Sequence, residues 1–201
     1  ISYPTETGLI YSRNELQGIS TICHQYGLPL YIDGARLGYG LMADDADLSI
    51  ADIAKMADVF YIGGTKQGAL FGEALVVCNP EYRKDLRYLI KQGGGMLAKG
   101  RLLGLQFLTL FTDDLYWRLA QHADRQAVRI RTALQEKGYA LPLQSRTNQQ
   151  FVIFEDAKLD ELQKEFSFDY TCRINETHSM VRICTSWATR TEDVDLLIAA
   201  L

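Results

Sequence analysis

The stretch Val59-Phe60-Tyr61-Ile62-Gly63-Gly64-Thr65-Lys66-Gln67-Gly68 constrains this chain more than any other. Four apolar, strand-forming residues give way to two glycines, a hydroxyl and a lysine. An apolar run bounded in this way reads as a buried strand that stops abruptly. Lys66 therefore leaves the carboxyl end of a strand, the edge at which open α/β sheets bind their ligands. Apolar walls around such a lysine would lower its pKa and make the amine a usable nucleophile. A surface lysine in an ordinary turn is the plainer alternative.

The surrounding pattern places that strand in an α/β unit. Ser12-Arg13-Asn14-Glu15 has the form of a capping box, and Leu16, Ile19 and Ile22 then recur at helical spacing up to Gly27. Residues 28–32 read as a strand that ends in Asp33-Gly34-Ala35-Arg36. A short helix over 49–57 opens with Ser49 and Asp52, and strands over 59–62 and 74–77 follow. Strand, helix and strand joined by short connections describe βαβ units, with at least the first two strands parallel. The direction of the third is open. Residues 81–92 read as a helix broken by Gly93-Gly94-Gly95. A long helical pattern over 99–137 carries an interruption at Thr112-Asp113-Asp114. Beyond Gly138 the texture changes to short strands over 139–143, 150–154, 169–174 and 180–185, with helices over 159–166 and 191–201. The expectation is a partial, mainly parallel sheet in a large domain over residues 1–112, followed by a small α+β domain over 113–201. The chain opens at Ile1, and three strands are few for such a sheet, so it reads as the C-terminal part of something longer.

Composition removes several function classes. A net charge of -4 and a pI near 5.4 give no basic footprint for nucleic acid. No apolar run approaches the roughly 18 residues of a membrane span. Four scattered cysteines without a CxxC pair suit a reducing cytoplasm better than a disulfide framework. Three isolated histidines make a zinc site an unsuitable reading.

Asp33 and Lys66 then carry the chemistry. If their strands are neighbours, the strand ends lie about 5 Å apart, and a carboxylate and an amine face opposite ends of one aromatic ring. Pyridoxal phosphate needs that arrangement, with a lysine on its aldehyde and an acid on its pyridine nitrogen. A turn residue after a strand is the alternative for Asp33.

Leu30-Tyr31-Ile32-Asp33-Gly34-Ala35-Arg36-Leu37, with a lysine thirty residues beyond Arg36, resembles the threonine aldolase and β-eliminating lyase family of fold-type I pyridoxal-phosphate enzymes. Gly8-Leu9-Ile10-Tyr11-Ser12, Gly93-Gly94-Gly95-Met96 and Val181-Arg182-Ile183 extend the likeness across the chain. The resemblance implies that Lys66 holds the cofactor aldehyde as a Schiff base and that Asp33 pairs with the ring nitrogen. It implies that Arg36 lies over the cofactor and, with Arg182, grips the substrate carboxylate, as guanidinium forks do. Thr65 would place its hydroxyl near the cofactor phosphate or the lysine, or else cap the turn. Three positions depart from the family pattern: Thr65 where many members have serine, Leu97 after the Gly-Gly-Gly-Met run, and Ser186-Trp187 where many have histidine. The implied reaction is retro-aldol cleavage of a β-hydroxy-α-amino acid to glycine and an aldehyde, in a homo-oligomer. β-Elimination or transamination with the same cofactor, and a non-catalytic domain that keeps the fold, are the alternatives.

Overall fold

The computed structural model describes residues 1–201. Helix α1 (Arg13–Gln25) starts at Ser12, whose hydroxyl accepts the Glu15 N–H while the Glu15 carboxylate accepts the Ser12 N–H. Reciprocal capping of this kind satisfies amides that the first turn leaves unpaired. Strand β1 (Tyr31–Ile32) and a six-residue helix α2 (Leu37–Met42) follow, the latter unexpected from sequence. A second capping box, Ser49 with Asp52, opens α3 (Ile50–Met56).

Strand β2 (Val59–Gly63) lies parallel to β1, with Ile32 opposite Phe60. Strand β3 (Glu73–Val77) pairs antiparallel with β2, which settles the direction left open by sequence. On the far side of β1, Ser2 forms a parallel bridge with Asp33. At the base of the sheet the buried Asp58 carboxylate accepts the Leu30 N–H at 2.7 Å and Asn79 Nδ2 at 2.8 Å, and lies 3.1 Å from His24 Nε2. It ties β1, β2 and the end of β3 to α1.

The helix expected over 81–92 is divided. A 3-10 turn, Pro80–Arg83, is separated from α4 (Leu86–Gln92) by Asp85, which takes a left-handed φ of 55°. Helices α5 (Arg101–Phe111) and α6 (Leu115–Glu136) meet at the anticipated break, where Asp113 and Asp114 have φ of 51° and 58°.

The remaining elements are β4 (Gln149–Glu155), α7 (Asp156–Leu162), β5 (Asp169–Arg173), β6 (His178–Cys184) and α8 (Thr191–Ala200). The three strands form an antiparallel sheet in the order β4-β6-β5. The strand expected over 139–143 is absent apart from one bridge between Ala140 and Ile153. Pro142 has no N–H to continue a ladder there.

Two apolar cores result. Ile32, Leu37, Ile53, Phe60 and Tyr116 centre the first, and Ile130, Leu134, Val152, Phe154 and Val181 the second. Helix α6 enters both, its first turn packing on the parallel strands and its last turns on the antiparallel sheet. A kink at Asp113 and Asp114 precedes it.

Candidate active site

The tips of β1 and β2 touch because two glycines let them. A Cβ on Gly34 would sit 1.8 Å from the Tyr61 carbonyl oxygen, and one on Gly63 would sit 2.3 Å from the Ala35 carbonyl oxygen. The Gly63 N–H instead donates to the Gly34 carbonyl at 2.9 Å. Asp33 and Lys66 thus emerge from adjacent strand ends on one edge of the sheet.

Asp33 is half-buried, and its Oδ1 accepts two hydrogen bonds, from the Tyr61 hydroxyl at 2.6 Å and the Ala35 N–H at 3.0 Å. The parallel register explains the tyrosine. Ile32 faces Phe60, so the next pair along is Asp33 beside Tyr61. Both bonds fall on one oxygen and leave Oδ2 clear. Burial first, then the hydrogen bond to Asp33, pushes the Tyr61 phenol well above its ordinary value, so it remains a donor at physiological pH.

Lys66 is solvent-exposed, without the apolar walls that sequence reasoning invoked. Its backbone is held instead. The Tyr39 hydroxyl donates to the Lys66 carbonyl. Gln67, fully buried, accepts the Gly38 N–H at 3.2 Å. The Tyr116 hydroxyl lies 2.6 Å from the same Gln67 oxygen and 2.9 Å from the Gly63 carbonyl. These clamps come from α2 and α6 and were invisible in the sequence. Thr65 takes the capping role, donating to Glu73 Oε1 at 2.9 Å, while the Gly64 N–H donates to Glu73 Oε2 at 2.5 Å.

Two cavities adjoin this edge. One of about 260 Å³ is lined by Asp33, Arg36, Tyr61 and Lys66 together with Ser2 and Glu6. The other, about 400 Å³, has Arg36, Thr65, Lys66, Arg182, Ser186 and Trp187 in its wall. Arg36 and Lys66 belong to both, so the five residues expected at the site are distributed over the walls of two adjoining cavities. Arg182 donates from Nη2 to Asp169 at 2.9 Å and from Nη1 to Gln149 at 3.1 Å. With the exposed Asp169 as partner, Arg182 forms a salt bridge between strands at the cavity wall. Ser186 and Trp187, which depart from the family pattern, line the same cavity.

The donor set suits pyridoxal phosphate. An amine, a carboxylate with one free oxygen, and a buried Arg36 Nε that has no partner converge where the ring and a substrate carboxylate would lie.

A β1-β2 parallel pair with a lysine at the strand tip, joined to a small antiparallel domain, is the architecture of fold-type I pyridoxal-phosphate enzymes. Serine palmitoyltransferase from Sphingomonas wittichii shares it at a TM-score of 0.65 and 16% identity, covering 92% of this chain and 49% of that one. The β-eliminating lyase family model matches residues 2–157, and the chain belongs to that family. Threonine aldolase from Leishmania major superposes at a TM-score of 0.97 with 40% identity, over 99% of this chain and 58% of that one. Low specificity L-threonine aldolase from Pseudomonas aeruginosa is 36% identical over 130 residues, 63% of this chain and 37% of that protein. The chain thus spans only part of the length of each relative.

Proposed function

We propose that the chain carries the lysine, acid and carboxylate-binding part of a pyridoxal-phosphate lyase that cleaves a β-hydroxy-α-amino acid to glycine and an aldehyde. The observation that carries the proposal is the sharing of Lys66 and Arg36 between two adjoining cavities, one holding Asp33 and the other Arg182. The Leishmania and Pseudomonas relatives are threonine aldolases, which supports the choice of aldol cleavage over elimination.

When bound, the cofactor supplies an electron sink for the charge left at Cα as a bond there breaks. Lys66 would supply the amine that holds the cofactor through its aldehyde. Asp33, through the oxygen that Tyr61 and Ala35 leave free, would pair with the pyridine nitrogen and favour its protonated form. Arg36 and Arg182 grip the substrate carboxylate from two sides, with Arg182 exchanging its Asp169 contact for the ligand. Holding the carboxylate fixes rotation about Cα and so selects which bond is cleaved. Thr65 contributes less directly, by fixing the turn that carries the lysine.

Borohydride reduction after adding pyridoxal phosphate is expected to label Lys66, read by peptide mass spectrometry. A Lys66→Ala chain should give no adduct. Glycine and acetaldehyde from L-threonine would support the aldolase reading. Ammonia and a keto acid would transfer it to elimination, and no adduct at all would leave a non-catalytic domain. Arg182→Gln is expected to raise KM for the amino acid about 10- to 100-fold, the worth of a charge-assisted bidentate contact.

A homo-oligomer in a reducing cytoplasm completes the proposal. Exposed Tyr88, Leu89, Leu102, Leu105 and Leu108 on α4 and α5 support self-association, and all four cysteines are free thiols. Light scattering at micromolar concentration is expected to give a mass above 22.7 kDa. A monodisperse monomer would count against the oligomer.

A further inference from the structure

A cavity of about 330 Å³ lies apart from the lysine edge, between α6, the end of α2 and the 144–148 segment. That size falls at the lower end of small-molecule pockets, roughly 300–1,000 Å³. Its wall contains Asp44, Asp124, Arg125, Arg129 and Arg146, with Met42 and Val128 as the apolar part. Asp124 is 4% exposed, and neither carboxylate oxygen makes a hydrogen bond of good geometry, the Asn148 backbone N–H acting on it only as a weak donor. Buried polar groups in folded proteins are almost always paired, and an unpaired buried carboxylate is costly. Of the three arginines, Arg129 is taken up by Asp195 and Gln126. Arg125 and Arg146 are exposed and make no ion pair with another residue of the chain.

We propose that this cavity binds a small zwitterionic α-amino acid, with its ammonium on Asp124 and its carboxylate on Arg125 and Arg146. An inorganic anion would satisfy the guanidiniums and leave Asp124 orphaned. A simple cation would satisfy Asp124 and face two unpaired arginines. A ligand with both charges a few ångströms apart uses Asp124 and both free arginines, and leaves only the exposed Asp44 to solvent. Burial, and then Asp44, pushes Asp124 up to about 9 in the empty cavity, and an adjacent ammonium would reverse that. The residue before Asp124, Ala123, packs on Tyr39, whose hydroxyl holds the Lys66 carbonyl. The occupied site would therefore border the segment that positions the lysine. The inference does not depend on the aldolase reading, because it needs neither cofactor nor turnover.

The test is calorimetric titration of the cofactor-free chain with glycine, acetate and methylammonium, in an Arg182→Gln background that weakens the carboxylate grip at the lysine site. Glycine is expected to bind saturably, with acetate and methylammonium at least tenfold weaker. Asp124→Asn and, separately, the exposed Arg146→Gln should each weaken glycine at least tenfold. Circular dichroism identifies any variant that fails to fold. Equal binding of acetate would make the cavity an anion site, and equal binding of methylammonium a cation site. Either result, or no saturable glycine binding in the folded protein, overturns the proposal. The last would mean that Arg125 or Arg146 closes onto Asp124 itself.

Discussion

The contact that most distinguishes this site is a single hydroxyl. Tyr61 donates to the Asp33 oxygen that the Ala35 N–H also engages, so the carboxylate cannot turn freely and presents its other oxygen to the cavity. A hydrogen bond to a charged acceptor contributes about 1.5–3 kcal/mol. Tyr61→Phe removes it without opening the sheet, since Tyr61 keeps its ring packing beside Tyr31. Pyridoxal phosphate is expected to bind about tenfold more weakly to Tyr61→Phe, the conversion of some 1.4 kcal/mol, with an unchanged far-ultraviolet spectrum. Absorbance titration with the cofactor measures this, and equal affinity would mean that the tyrosine does not orient the acid. Lys66 and Asp33 stand out in the sequence as residues at strand ends, whereas Arg36, Thr65 and Arg182 come from the family resemblance, and all five line the two cavities at the lysine edge. Tyr39, Tyr61, Gln67 and Tyr116 went unassigned because their roles depend on which strand or helix lies opposite, and no local pattern encodes that. The alternation within Val59–Ile62 could have suggested that Tyr61 faces the same side as Asp33, given the parallel register.

At the scale of elements, close approach of two strand tips decides whether there is a site. Gly63→Ala would drive a methyl into the Ala35 backbone, where no side chain can swing aside. Relief requires the strands to part, which is expected to cost about 3 kcal/mol and to move Lys66 with them. Gly104 in α5 provides the contrast, because nothing lies within 4 Å of its would-be Cβ. Gly104→Ala should stabilise by up to about 1 kcal/mol through helix propensity alone. Urea denaturation of the two variants, with borohydride labelling of Lys66 as a second readout, separates strain at the tip from a general intolerance of alanine. Elements with strong local signals were legible. Both capping boxes and the break at Asp113-Asp114 fall where the sequence places them. Helix α2 was not legible, because Leu37-Gly-Tyr-Gly-Leu-Met carries two glycines and poor propensity. It is helical because Tyr39 packs against Ala120 and Ala123 of α6. The helix over 81–92 failed for a related reason, since nothing in its apolar spacing announces the left-handed turn at Asp85.

For the molecule as a whole, the buried acids set the direction in which pH acts. Asp58 is held below the usual carboxylate range. Burial pushes it up, but hydrogen bonds from Asn79, the Leu30 N–H and His24 outweigh that. Its contribution is present above the unfolded carboxylate range and is lost as pH falls through its folded value. Asp124 acts in the opposite sense. Burial and the nearby Asp44 raise it to about 9 from an ordinary 3.8, so between those values the folded chain holds a proton that the unfolded chain has released. Stability therefore falls as pH rises through that interval, by at most about 1.4 kcal/mol per pH unit for one group. Tyr39, Arg125, Arg129 and Arg146 are the other ionisable groups facing Asp124, Arg129 being paired with Asp195. Asparagine at this position is neutral at every pH and nearly the same shape. Asp124→Asn is accordingly expected to flatten the decline between pH 5 and pH 8 and to be the more stable chain at pH 8. Urea midpoints at half-unit intervals measure both slopes. Parallel curves for the two chains would mean that Asp124 is already ionised at pH 5, with a guanidinium beside it.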